Sequence, residues 1–351
     1  MEQPLQLSAG NGNAATHTRY RIEDRSYLSI IKKEIARSAE SLGFAPERIG
    51  RLDIIVSELL SNLLKFGVKK RELLWKPLLQ GGRGAIEILA IDGGSGIANT
   101  SRALEDGYST SGTAGQGLGA IRRLSDFFDL YSQPGLGTIV LVRLFAEEYP
   151  LAEQQLASAG VISVAKSGEK VCGDGYQLDY DPEEKQLRLL VVDGLGHGPE
   201  AHLAANAALD VFAAEGGDDQ SLLLKQIHQS IKRTRGVVAL SATYKGEEHQ
   251  LHYCGVGNIS GRLLGFEGTK VLTSFNGIVG HAISSRIHDQ RLAWERGKLL
   301  VLHSDGLLSR WDMGRYPQVQ KHDPSLIAAC LYRDYNRGTD DITILVSKHP
   351  D

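Results

Sequence analysis

Between Tyr27 and Leu42 the apolar positions Leu28, Ile31, Ile35, Ala39 and Leu42 recur at helical spacing, and the stripe ends at Gly43. Pro46 then opens a second helix, which runs to Phe66 and stops at Gly67. Ahead of this pair, "HTRYRI" reads as a short strand. After it, "GAIEILAID" is a strand and "GLGAIRRLSDFF" a glycine-led helix. "FDLYS" and "GTIVLVRLFA" are two strands joined by a Pro-Gly turn. The first unit is therefore expected to be helices over a mixed sheet. The polar, proline-containing "AEEYPLAEQQLASAG" predicts a linker. Beyond it come a strand at Leu187–Asp193, helices at Pro199–Ala214 and Leu222–Lys232, and several strands between Val237 and Leu272. A strand at Leu299–His303, a helix at Pro324–Tyr335 and a strand at Ile342–Val346 close the pattern. That second unit reads as a sandwich of strands with helices.

Composition narrows the class. The 351 residues favour two domains, and 42% hydrophobic with 23% charged residues fits a soluble globular protein. A formal net charge of −3 gives no hint of nucleic acid or an anionic membrane as partner. Cys172, Cys254 and Cys330 are far apart and form no CxxC, which argues against a disulfide framework or a thiolate zinc site. No apolar run reaches membrane-spanning length and the polar start lacks a signal-peptide core, so a cytoplasmic location is expected. The small polar residues 1–15 are expected to be a disordered tail. The 40 glycines gather in turns after strands, where tight backbone geometry is needed.

In "DIIVSELLSNLLKFG", Glu58, Asn62 and Lys65 share one helix face, opposite the apolar stripe of Ile55, Leu59, Leu63 and Phe66. Asn is a poor helix former, so an Asn one turn after a Glu in a helix interior asks for another reason. A carboxylate beside a carboxamide suits a proton acceptor next to a Mg²⁺ ligand. "IDGGSGI" brings Asp92 to a strand end, where it can accept from the exocyclic amine of a base, and Gly94 and Gly96 allow close approach of a planar ligand. "DGYSTSGTAGQGLGAI" is a glycine loop leading into a helix N-terminus, which offers N–H groups to phosphate. No GK[ST] follows, so this is not a Walker loop.

The order of these motifs resembles the ATP-binding fold of histidine kinases, gyrase and the anti-sigma-factor serine kinases (GHKL, or Bergerat, fold). The likeness is specifically to switch kinases of the general stress response, whose "DGxST…GxGLGAIRRLxDxFD" is similar to the stretch from Asp106 to Asp129. The resemblance covers about Thr16–Phe145. It implies ATP with Mg²⁺, Asp92 on adenine, Asn62 on Mg²⁺, and Glu58 as the base that takes the proton from a substrate Ser or Thr. Gly94, Gly96, Gly115, Gly117 and Gly119 would shape the pocket, with Lys65 in the nucleotide-binding set and Thr138 near Asp92. Phe66 and Gly67 depart mildly from the family's usual His/Tyr-Ala. No helical hairpin with a phosphoacceptor His precedes the pocket, which disfavours a sensor histidine kinase.

Four acidic stations mark the second unit: Asp174 in "VCGDGY", Asp193 in "VVDGLGHG", Asp305 in "LLVLHSDGLL", and Asp340–Asp341 in "RGTDDITILV". Most lie where an apolar strand begins or ends. Buried carboxylates are costly unless a cation holds them, and hard oxygen donors suit Mg²⁺ or Mn²⁺ rather than zinc. Two such ions about 3.5–4 Å apart can share a carboxylate and activate water for attack on phosphorus. With "YCGVGNIS" and "NGIVGH", these stations resemble the metal-dependent Ser/Thr phosphatases of the SpoIIE group, including small feedback phosphatases of the same stress pathway, over about Val161–Lys348. The resemblance implies that Asp193 bridges two metals, that Asp174 and the Gly194 carbonyl serve the first, and that Asp305 and Asp340 serve the second. Asp340 is taken over Asp341 because the family's ligand is the first of its pair. His197 is read as part of the turn.

The expected architecture is thus two-domain α+β. A GHKL ATP-binding serine kinase α/β sandwich would span residues 16–146, a linker 147–159, and a PPM/SpoIIE α-β-β-α phosphatase sandwich 160–349. The expected function is a bifunctional switch enzyme that phosphorylates Ser or Thr on a STAS-domain regulator and removes the phosphate again. The alternatives are a phosphatase gated by a non-catalytic ATP-sensing module, or by one that binds a sigma factor.

Overall fold

The computed structural model describes residues 15–80, 83–104, 117–148, 159–181, 183–215 and 217–350. The expected tail apart from Ala15, nearly all of the linker, and the glycine loop up to Gln116, with Gly115, lie outside these residues. Ala15 itself departs from the tail expectation: it is buried, and its carbonyl accepts the Tyr176 hydroxyl at 2.8 Å.

In the first part β1 (Thr18–Arg21) precedes helices α1 (Leu28–Ser41) and α2 (Pro46–Phe66), and β2 (Glu72–Gln80) and β3 (Arg83–Ile91) follow. Then come α3 (Thr100–Ala103), α4 (Gly117–Leu124), β4 (Phe127–Gln133) and β5 (Gly137–Phe145). The strands form one five-stranded sheet in the order β1-β2-β3-β5-β4. Every pair is antiparallel, which corrects the mixed sheet expected from sequence. The reason is local: β2–β3 and β4–β5 are hairpins, and the second inserts β5 beside β3. Pro77 hides β2 from a reading of the sequence. Beyond Trp75, however, β1 no longer pairs with β2, and an unpartnered strand side tolerates a residue without an N–H. The helices bury Ile31, Ile35, Ile55, Leu59 and Leu63 against Ile86, Ile88 and Val142 on one face of the sheet.

The second part begins with β6 (Ala159–Val164), β7 (Asp174–Asp181) and β8 (Gln186–Gly194), then α5 (Pro199–Ala214) and α6 (Gln220–Ser230). Next come β9 (Val237–Lys245), β10 (Gln250–Val256), β11 (Ser260–Gly265), β12 (Gly268–Leu272), β13 (Gly277–Ile278), β14 (Ala282–Ile283) and β15 (Gln290–Ala293). β16 (Leu299–His303), α7 (Pro324–Tyr335) and β17 (Ile342–Lys348) complete it. Two five-stranded sheets, β15-β10-β9-β8-β7 and β12-β11-β16-β17-β6, enclose a core that includes Tyr176, Leu189, Leu240, Leu300 and Leu345. α5 and α6 cover the outside of the first sheet. α7 covers the outside of the second and also the free face of the N-terminal sheet, so Leu89, Ile91 and Leu141 share one core with Ile162, Ile327, Leu331 and Ile344.

Polar groups are buried at that junction as well. Arg143 on β5 makes paired bonds of 2.8 and 2.9 Å to Asp323, the N-cap of α7, and another of 2.7 Å to Glu87. Lys76 donates to the Val161 carbonyl at 2.7 Å. Burial alone would push the Glu87 carboxyl up, but Lys76 and Arg143 hold it well below the usual range. Among the described residues, no helix is long and apolar enough to cross a membrane.

Candidate active sites

The sandwich brings its acidic stations to one end. Asp193 ends the apolar run of β8 and faces Asp174 across the ladder with β7. In the other sheet, Asp305 follows β16 and Asp340 precedes the adjacent β17. Asp193, Asp305 and Asp340 line one cavity of about 460 Å³, together with His197, Asn258 and Asn276. Gly194 follows Asp193 at the end of β8, its N–H bonded to the Gly173 carbonyl. Asp174 lies deeper: it is 5% exposed and accepts the Ser304 hydroxyl at 2.6 Å.

The adjacent aspartates Asp340 and Asp341 have different surroundings. Asp341 is buried and accepts the backbone N–H groups of Lys166 at 2.8 Å and Gly173 at 3.0 Å, so it pins the β6–β7 loop. Asp340 faces the cavity.

Burial, with Asp305, Asp340 and Asp341 nearby, pushes the Asp193 carboxyl up to about 7. Burial and the neighbouring Asp193 raise Asp174 well above the carboxylate range. Carboxylates crowded in this way are relieved by a divalent cation, and an all-oxygen donor set fits Mg²⁺ or Mn²⁺. Among the described residues, no three carboxylate, imidazole or thiolate groups close into a ready-made coordination shell. The donors therefore ring the cavity more widely than one ion's shell.

On the N-terminal part, α2 presents Glu58 and Asn62 to the start of α4. A Cβ at Gly117 would lie 3.3 Å from Glu58 Oε2 and 3.5 Å from Asn62 Oδ1, so both polar groups face the first residue of α4 and a side chain there would press on the carboxylate. Asp92 follows β3, and its carboxylate accepts the Gly94 N–H at 2.6 Å. Burial raises its pKa. Thr138 is joined to Asp92 by backbone bonds in both directions, of 2.9 and 3.3 Å, and its hydroxyl meets Ser132 Oγ at 2.9 Å. Gly96, at φ 74°, packs against the Gln133 carbonyl. Gly119 is buried within α4. Lys65 is exposed near the end of α2, with no bond to the pocket among the described residues.

Some participants were not visible as such in the sequence. Glu169 in the β6–β7 loop bonds His197 Nδ1 at 2.7 Å, and Asn258 Nδ2 donates to Asp305 at 3.2 Å. "GNIS" and "GHG" flagged Asn258 and His197; nothing local marks Glu169, which lies 28 residues before its partner.

Comparison with known proteins places each part of the chain among relatives. The profile of the family Stage II sporulation protein E (SpoIIE) matches residues 183–350. The phosphoserine phosphatase RsbX of Bacillus subtilis (strain 168) is 28% identical over 149 residues, 42% of this chain and 73% of that protein. The serine/threonine-protein kinase RsbT of the same organism is 34% identical over 110 residues, 31% of this chain and 82% of that protein. A chain from a structural study of the bacterial stressosome is 25% identical, with a TM-score of 0.51, and covers 56% of this chain and 100% of its own length. A crystal structure of RsbX with magnesium, 24% identical, covers 55% of this chain and 98% of its own, and its TM-score of 0.50 shows the fold. The chain thus holds an RsbX-like Ser/Thr phosphatase domain of the SpoIIE family, PP2C in type, and over 31% of its length belongs by homology to the family of RsbT.

Proposed function

We propose that this protein both adds and removes phosphate on Ser or Thr of a STAS-domain regulator, with a GHKL-type ATP site at residues 16–146 and the phosphatase at 160–349. The observation that carries the phosphatase half is the convergence of Asp193, Asp305 and Asp340 on one cavity from strand ends of both sheets. Asp193 with Asp174 and the Gly194 carbonyl on one side, and Asp305 with Asp340 on the other, would hold two Mg²⁺ or Mn²⁺ ions, which lower the pKa of water and offset phosphoryl charge. The chain's own residues orient this set. Ser304 fixes the Asp174 carboxylate, Asn258 fixes Asp305, and Asp341 holds the loop beneath them. Magnesium in the RsbX crystal structure supports the same cation here.

In the other half, Glu58 would accept the proton of the attacking hydroxyl and Asn62 would serve the Mg²⁺ that accompanies ATP. Asp92 would accept from the adenine amine, and the N-terminus of α4 at Gly117 would receive phosphate oxygens. The proximity of Glu58, Asn62 and Gly117 supports this reading, as does the identity to RsbT. The likeness to RsbX, RsbT and the stressosome chain supports a regulatory protein as the partner.

Intact-mass spectrometry of a STAS-domain protein encoded beside this one tests the proposal, first with Mg²⁺-ATP and then with Mn²⁺ after ATP is removed. Gain and later loss of one phosphate is the expected result. Stripping of a pre-phosphorylated partner with no gain from ATP would reduce the N-terminal part to a sensor. A specific contact favours that second reading: the Lys70 ammonium donates to the Arg333 carbonyl at the end of α7, while the Lys69 carbonyl accepts the N–H of Gly93, next to Asp92. The nucleotide turn therefore touches the helix that precedes Asp340. A sigma factor as the partner would show as tight binding independent of phosphorylation.

A further inference from the structure

The N-terminal sheet and the phosphatase sandwich meet edge to edge at one point and then part. His17 pairs in parallel with Val164, its N–H donating to the Ser163 carbonyl at 2.7 Å. Beyond that point Thr18–Arg21 follow β2, while residues 165–170 turn toward the phosphatase site. Between them a cleft of about 590 Å³ opens, with one wall from each part. Its lining carries Arg19, Arg21, Lys166 and Lys170 against Glu23 and Glu169. Glu169 is hydrogen-bonded to His197 and Arg21 is paired with Glu72 at 3.3 Å, while no ion pair to Lys166 or Lys170 occurs among the described residues. With four cationic side chains against two carboxylates on its lining, the cleft is net cationic.

One wall is also an open strand edge. Backbone groups alternate in direction along a strand, and the His17 N–H points at Ser163, so the N–H and carbonyl groups of Arg19 and Arg21 point into the cleft. β1 pairs only with β2 among the described residues. An unpaired edge accepts an extended peptide as an added strand. At the cleft's inner end, Asp341 holds the Lys166 N–H and Glu169 holds His197 at the wall of the phosphatase cavity.

We propose that this cleft docks an extended acidic segment of the phosphoprotein substrate, added along β1 and neutralised by Arg19, Arg21, Lys166 and Lys170, so that one bound partner is held against both parts of the chain. This rests on the reading of the cavity as a protein phosphatase site and adds where its substrate is gripped.

The test uses the full chain with Mn²⁺ and two probes: phosphorylated β-casein, an acidic phosphoprotein, and p-nitrophenyl phosphate, which is too small to reach the cleft. Arg21→Gln with Lys170→Glu should lower kcat/KM on phosphocasein about tenfold and make it less dependent on salt. Hydrolysis of p-nitrophenyl phosphate should not change. Arg19→Pro should cost more on phosphocasein than Arg19→Ala, because the proline also removes a cleft-facing N–H. An unchanged ratio between the probes, or an equal loss on both, would overturn the proposal. If the native protein hydrolyses neither probe, the phosphatase reading itself fails. Fluorescence anisotropy of labelled phosphocasein then still decides the cleft, and equal binding by native protein and the double variant would refute it.

Discussion

Asp193→Asn separates the cost of the carboxylate ring from its use. The side chain keeps its shape and loses its charge. The Asp193 carboxyl is raised from 3.8 to about 7, roughly three pH units at about 1.4 kcal/mol each, so ~4 kcal/mol is the ceiling on what its ionisation costs the fold. The folded protein holds this proton more tightly than the unfolded chain. The group's favourable contribution is therefore complete below about pH 4 and is lost as the pH rises through about 7. In chelator at pH 8, the variant should melt above the native protein, by roughly 4–8 °C if about half of the ceiling is realised in a unit of this size. At pH 4 the difference should shrink toward zero. Mn²⁺ at pH 8 should raise the native melting temperature and do little for the variant, whose phosphatase activity should be lost. Differential scanning calorimetry across pH, with and without the cation, reads all of this. Equal melting at pH 8 in chelator, or the same Mn²⁺ shift in both proteins, would refute the reasoning.

Glu58→Ala should abolish phosphate transfer from ATP and leave p-nitrophenyl phosphate hydrolysis within about twofold, whereas Asp193→Ala should do the reverse; loss of both activities from a folded single variant would contradict two separate sites. Arg143→Ala strands Asp323 and Glu87 without their guanidinium and should cost about 3–5 kcal/mol in urea unfolding, as breaking a buried pair from one side does. Asp340→Asn should weaken Mn²⁺ binding, read by calorimetric titration, with little change in metal-free stability. Asp341→Asn should instead lose about 1–3 kcal/mol, because an amide nitrogen would face one of the backbone N–H groups that the carboxylate now accepts.

Several elements were legible from local signals. Pro46, Pro199 and Pro324 open α2, α5 and α7, because proline's missing N–H costs nothing in a first helical turn. The apolar run Leu299–Leu302, closed by His303, is a strand buried along its whole length. The Asp-Gly turns at Asp92, Asp193 and Asp305 were visible for the same reason: a charged residue closing an apolar strand breaks a short, strong pattern. Helical spacing alone put Glu58 and Asn62 on one face.

What distinguishes Asp340 from Asp341 is not local, since both follow the same Gly-Thr; the difference is that Lys166 and Gly173, far earlier in the chain, turn their N–H groups toward the second. The strand β2 escaped notice because Pro77 is permitted only by where β1 ends. Nothing in the local sequence marks Glu87, Lys76 or Arg143 as buried. They are buried because α7 and β6 cover that face of the sheet and Asp323 meets the guanidinium there. Periodicity records which face of an element is apolar. It does not record which distant element lies against the other face, and here that choice buries the charges, unites the two parts of the chain and shapes the cleft between them.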